Sequence, residues 1–146
     1  MAKKVICVVM CLVMFMSFNT IAFAADLDTA ETMEVQPRFS YINSVFTRIE
    51  YVGNGKVNCF AYATGYDGVT TKIGIDVYLQ KKVLLWWTNT DYEWHTLAPG
   101  HYAEIKAYNY VLPSKGTYRV KATITAYYGS VTETCESESK YYTYGG

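Results

Sequence analysis

The chain reads as all-β, an immunoglobulin-like sandwich of two antiparallel sheets and about seven strands, with a small β-barrel as the alternative. Three observations support this. Fifteen of the 146 residues are tyrosine, a bulky aromatic that suits pleated strands. Apolar residues after position 40 alternate with polar ones, and no useful stretch repeats every 3.6 residues. Turn residues interrupt the alternation about every ten to fifteen positions.

The elements follow in order. Residues 1–24 form a secretory signal peptide, with Lys3 and Lys4 ahead of an apolar run from Val5 to Phe18. Ala22-Phe23-Ala24 supplies the small residues of a cleavage site, so cleavage is expected after Ala24. The apolar run is too short to span a bilayer comfortably, and no later stretch is long enough to cross one. Residues 25–39 are acidic and irregular and read as a flexible leader. Residues 40–146 carry the sandwich.

The first strand runs from Tyr41 to Val52, with Val45, Thr47, Ile49 and Tyr51 on one face. Gly53-Asn54-Gly55 turns it, because Asn-Gly accepts the positive φ of a tight hairpin. Lys56 to Thr64 follows, with Val57, Cys59, Ala61 and Ala63 inward. Lys72 to Lys81 alternates cleanly, with Ile73, Ile75, Val77 and Leu79 inward. Val83 to Leu97 is less regular and holds all three tryptophans; Thr88-Asn89-Thr90-Asp91 is its expected turn. Tyr102 to Leu112 places Ala103, Ile105, Ala107 and Val111 inward. Pro113-Ser114-Lys115-Gly116 precedes the clearest strand, with Tyr118, Val120, Ala122, Ile124 and Ala126 inward. Gly116-Thr117-Tyr118 has the spacing of a tyrosine corner, in which a phenol ties a strand start to upstream backbone. Gly129-Ser130 makes the last hairpin, and Val131 to Tyr144 is the last strand. By alternation Glu133 shares the face of Cys135, which requires a bulge or a place at the rim.

Several stretches together resemble an uncharacterised family of small secreted β-sandwich proteins of Gram-positive bacteria. They are Lys56-Val57-Asn58-Cys59, Thr64-Gly65-Tyr66, the run Lys72 to Lys82, Lys115 to Val120 and Gly129 to Thr134. Trp87 and Trp94 match the family's tryptophan pair loosely. The resemblance implies fold and location and carries no activity.

Charge and cysteines narrow the function. Lysines and arginines equal aspartates and glutamates in number, and loss of the signal leaves acidic residues two in excess. That balance argues against nucleic acid or an anionic membrane as the obvious partner. Cys7 and Cys11 leave with the signal, so Cys59 and Cys135 remain in an oxidising setting and are expected to form a disulfide. No catalytic constellation stands out. His95 and His101, with Glu93 and Glu104, match no strong metal-ligand spacing, so no metal and no cofactor is assigned.

Aromatic residues carry the functional expectation, which is a secreted, non-enzymatic binding or interaction module. Phe60 and Tyr62, with Tyr108 and Tyr110, are placed by alternation on the outer face of two neighbouring strands, as a contact surface for a protein, a cell-envelope component or a second copy. Trp86, Trp87, Tyr92 and Trp94 form the alternative, a platform for stacking carbohydrate. Trp86 and Trp87 are adjacent, so one must face outward on a regular strand.

Overall fold

The computed structural model describes residues 39–145. The expected signal peptide, 1–24, and residues 25–38 of the leader lie outside the described residues. Eight strands and no helix appear among them: β1 (Ile42–Gly53), β2 (Lys56–Gly65), β3 (Lys72–Val83), β4 (Trp86–Pro99), β5 (Tyr102–Val111), β6 (Gly116–Tyr128), β7 (Val131–Glu138) and β8 (Tyr142–Tyr144). Among the described residues there is accordingly no helix long and apolar enough to cross a membrane. One sheet has the order β1-β2-β5 and the other β4-β3-β6-β7, with β8 also pairing β6. All pairings are antiparallel. The two sheets pack face to face, as the sequence pattern predicts.

The core is built by alternation. Ile73, Ile75, Val77 and Leu79 on β3, and Tyr118, Val120, Ala122, Ile124 and Ala126 on β6, are fully shielded from solvent. The facing positions are mostly smaller: Cys59, Ala61 and Ala63 on β2, and Ala103, Ile105 and Ala107 on β5. Large side chains from one sheet thus fill the space left by small ones from the other. The Tyr118 hydroxyl donates to the Ser114 carbonyl at 2.7 Å, which closes the expected tyrosine corner.

Glu133 sits at the rim, without a bulge. Its carboxylate accepts the amides of Ser40, Tyr41 and Ile42 at 2.9, 2.7 and 3.1 Å. Phe39, which precedes the expected start of the sandwich, packs against the core.

Four expectations are corrected. The expected Cys59–Cys135 disulfide is not formed; both residues are buried free thiols. Cys135 lies on β7, which packs against β1, whereas Cys59 lies on β2, over β3 and β6. The two cysteines are thus on opposite sheets and also offset laterally by at least one strand spacing, about 4.8 Å. A disulfide spans a Cα separation of only about 4.4–6.8 Å. The turn expected at Thr88–Asp91 is part of β4, and the chain reverses at Leu84-Leu85, between the paired residues Val83 and Trp86. The last strand is broken at Ser139–Tyr141, so β7 and β8 pair successive stretches of β6. Val111 faces out and Leu112 is buried, for a reason that also governs the candidate site.

Candidate interaction surface

Three strands of the smaller sheet position the candidate contact residues. Register places Phe46 opposite Tyr62, and Arg48 opposite Phe60. On the other side of β2, Tyr62 faces Glu104 and Phe60 faces Lys106. Two rows of outward side chains therefore cross the sheet: Phe46, Tyr62, Glu104 and Arg48, Phe60, Lys106.

These side chains hold one another in place. Phe46 and Tyr62 stack at 5.0 Å between centroids, with 21° between planes. Phe60 meets Tyr108 edge to face at 5.6 Å and 80°. The Arg48 guanidinium lies 4.9 Å over the Phe60 ring. Ion pairs Arg48–Glu50 and Lys106–Glu104, at 3.8 and 2.9 Å, neutralise the face. The Tyr102 hydroxyl donates to Glu104 at 2.6 Å. That bond pushes the Tyr102 phenol up and holds the Glu104 carboxyl below its ordinary range; the Glu104 carboxylate in turn raises the Lys106 ammonium. Tyr62 and Tyr108 stay 40% and 54% exposed, so ring area is open to a partner despite this packing.

Tyr110 does not belong to the face. Between Val57 and Cys59 the β2–β5 register slips, because Val57 pairs Tyr110 while Cys59 pairs Ala107. The extra β5 residue lies at Tyr108-Asn109, where Asn109 takes a φ of 60° and its amide bonds the Asn58 side-chain oxygen at 2.9 Å. A bulge of this kind reverses the in-out parity beyond it. Tyr110 and Leu112 thereby turn inward and Val111 turns out. Phe46 and Arg48, on β1 at the other side of β2, belong to the face instead. Their signal in the sequence is alternation with Val45, Thr47 and Ile49, which puts 46 and 48 on the outer side.

The four residues of the alternative platform are dispersed. Trp94 and Tyr92 point toward the core and meet Tyr110 edge to face, at 4.7 and 5.2 Å. Trp87 lies on the outer face of the larger sheet, with the Arg119 guanidinium 4.3 Å over its ring. Trp86 projects at the β3–β4 hairpin tip. One of the adjacent tryptophans does face outward into solvent, but the set offers no single stacking plane.

The titratable residues singled out from the sequence are also separated. His95 pairs Asp76 at 2.5 Å on the outer face of the larger sheet. His101 pairs Asp67 at 3.4 Å beside the β4–β5 turn. Glu104 lies on the outer face of the other sheet. Among the described residues no three His, Cys, Asp or Glu side chains converge as metal ligands would.

No family model matches the chain, and no curated protein matches it. Among solved structures it is similar to the solution structure of CsgH from R. palustris, at 20% identity and a TM-score of 0.32, over 64% of this chain and 90% of that one. It is also similar to the crystal structure of a protein from Archaeoglobus fulgidus, at 14% identity and a TM-score of 0.33, over 70% of this chain and 97% of that one.

Proposed function

We propose that this chain is an exported, non-enzymatic binding module whose contact surface is the outer face of β1, β2 and β5. The observation that carries the reading is the half-exposed array of Phe46, Phe60, Tyr62 and Tyr108, held in fixed orientation by stacking and by Arg48. Protein interfaces concentrate such aromatics and arginines, because rigid rings offer large contact area at small entropic cost. The face carries balanced charge, which favours a protein or envelope component over a polyanion. Export rests on the N-terminal sequence of charge, apolar run and small residues. With Trp94 and Tyr92 turned inward, the carbohydrate alternative loses its platform and is not favoured.

The test is the double change Phe60→Ser and Tyr108→Ser, made in the full chain so that the N-terminal export sequence is kept. Retention of the exported protein on the producing cells, and self-association by sedimentation, should fall about tenfold or more while the fold persists. A variant that is retained and associates like wild type would overturn the reading.

A further inference from the structure

The β3–β4 hairpin ends in four consecutive apolar residues, Val83-Leu84-Leu85-Trp86. Their exposures are 49%, 89%, 83% and 76%. Neither the core nor the backbone accounts for them. A two-residue hairpin turn favours Asn or Gly, and here Leu84 takes a left-handed φ of 57°. Leucine is disfavoured there, and at 89% exposure Leu84 recovers almost nothing by packing. A soluble turn would gain from polar residues at both positions. The occupant that compensates these leucines must lie outside the described residues.

We infer that this hairpin tip is a finger that enters the surface of a phospholipid bilayer bearing anionic headgroups. Order along the finger matches depth in a bilayer. The two leucines are outermost, and Trp86, whose ring suits the boundary between headgroup and acyl chain, comes next. Lys82 and Lys81 lie one to two positions behind Val83, about 3–7 Å back at the rise of a strand. A peripheral anchor buries its apolar part about 5–10 Å and leaves its cations among the headgroups. Further lysines surround the base. The β5–β6 loop, which carries Lys115, is tied to Lys81 by the Nζ–Ser114 Oγ bond at 2.6 Å. Lys56 follows the β1–β2 turn, which is joined to the same loop by the Leu112 amide and the Gly55 carbonyl at 2.8 Å.

Four lysines therefore lie at the apolar-tipped end, together with Arg119, whose partner Glu138 is, with Asp91, an acidic residue nearby. The opposite end, formed by the β2–β3, β4–β5 and β6–β7 connections, carries Asp67, Glu133 and the single lysine Lys72, whose ammonium lies over the Tyr127 ring, and its hairpins have no comparable run of apolar residues. The molecule presents a positive, apolar-tipped end, complementary to an anionic membrane surface. A protein partner would need a pocket shaped to a projecting finger; a bilayer needs none. This surface lies at the end of the sandwich, apart from the aromatic face, and does not depend on it.

The whole described core lies within residues 39–145, so a chain beginning at Ala25 retains it and excludes the apolar N-terminus from the assay. That chain should co-sediment with vesicles of phosphatidylcholine containing one-fifth to one-third phosphatidylglycerol, and at least tenfold less with phosphatidylcholine alone. Tryptophan emission should shift to the blue on binding, and Trp86→Phe should remove most of that shift. The double change Leu84→Asn and Leu85→Gly should lower vesicle binding at least tenfold, while the melting temperature holds or rises because the turn gains suitable residues. Lys82→Glu should weaken binding to the anionic vesicles selectively. Phe60→Ser with Tyr108→Ser should bind vesicles like wild type, which separates this surface from the aromatic face. Failure to bind anionic vesicles, or undiminished binding by the turn variant, would overturn the inference. A wild-type dimer made monomeric by the turn variant, without vesicle binding, would also overturn it and would identify a second copy as the occupant.

Discussion

Glu133 draws three backbone donors onto one side chain. It occupies an inward-parity position opposite Ala126, where a carboxylate in the core would be costly. Residues 40–42 resolve the conflict, because Ser40, Tyr41 and Ile42 direct successive amides at its two oxygens. Hydrogen bonds to a charged acceptor are stronger than neutral ones. Glu133→Ala should therefore cost about 2–3 kcal/mol in urea unfolding, with hydrogen exchange rising first at residues 40–42. Glu133→Gln, which keeps one acceptor oxygen, should cost less. Equal stability of all three proteins would show that the carboxylate merely lies near the amides.

Single irregularities decide the faces of whole elements. Up to Tyr108, β5 follows strict alternation, and one extra residue at Asn109 then exchanges inside and outside. Simple alternation treats Tyr108 and Tyr110 alike; the bulge separates them. Tyr110→Ala should remove the ring that joins Trp94 and Tyr92 and cost about 3 kcal/mol, as large-to-small changes in a packed cluster do. Tyr108→Ala, on the open face, should cost about 1 kcal/mol or less. Guanidinium unfolding of the two variants measures the difference, and equal losses would contradict the parity reversal. The Leu84-Leu85 turn is a second case, since its residues lack turn chemistry. Its position follows from the pairing of Val83 with Trp86, which only the folded hairpin reveals.

At the scale of the whole molecule, both described cysteines, Cys59 and Cys135, are neutral thiols in the inter-sheet core. Burial pushes the Cys59 thiol from 9.0 to about 12. Burial, assisted by Glu133 and Glu136, pushes Cys135 to about 11. The unfolded chain releases these protons first as pH rises, so the neutral thiols contribute stability that is complete below pH 9 and is lost toward pH 11–12. Each unit is worth about 1.4 kcal/mol. Unfolding free energy should fall steeply above pH 9, and the fall should be shallower in the Cys59→Ala, Cys135→Ala variant. Iodoacetamide should label neither thiol in the native protein at pH 8 and both after unfolding. Superimposable pH profiles for the two proteins would refute the thiol contribution.

Alternation and turn residues suffice for the fold class, for the inward sets of β2, β3 and β6, for the tyrosine corner and for the outward placement of Phe60, Tyr62 and Tyr108. These properties are local: pleat period, positive-φ turns and a four-residue hydrogen bond from Tyr118 to Ser114. Tertiary structure alone decides the rest. Cys59 and Cys135 share a core, but their pairing depends on which strands face each other across two sheets. Whether Tyr110 turns inward depends on a bulge tied by Asn58, fifty-one residues away from Asn109. Trp86, Trp87 and Trp94 are close in sequence, yet they end at a hairpin tip, an outer face and the core, because register and a reversal at Leu84 separate them. Such long-range pairings leave no periodic mark in the chain, which is why composition points to aromatic surfaces and the fold chooses which aromatics form them.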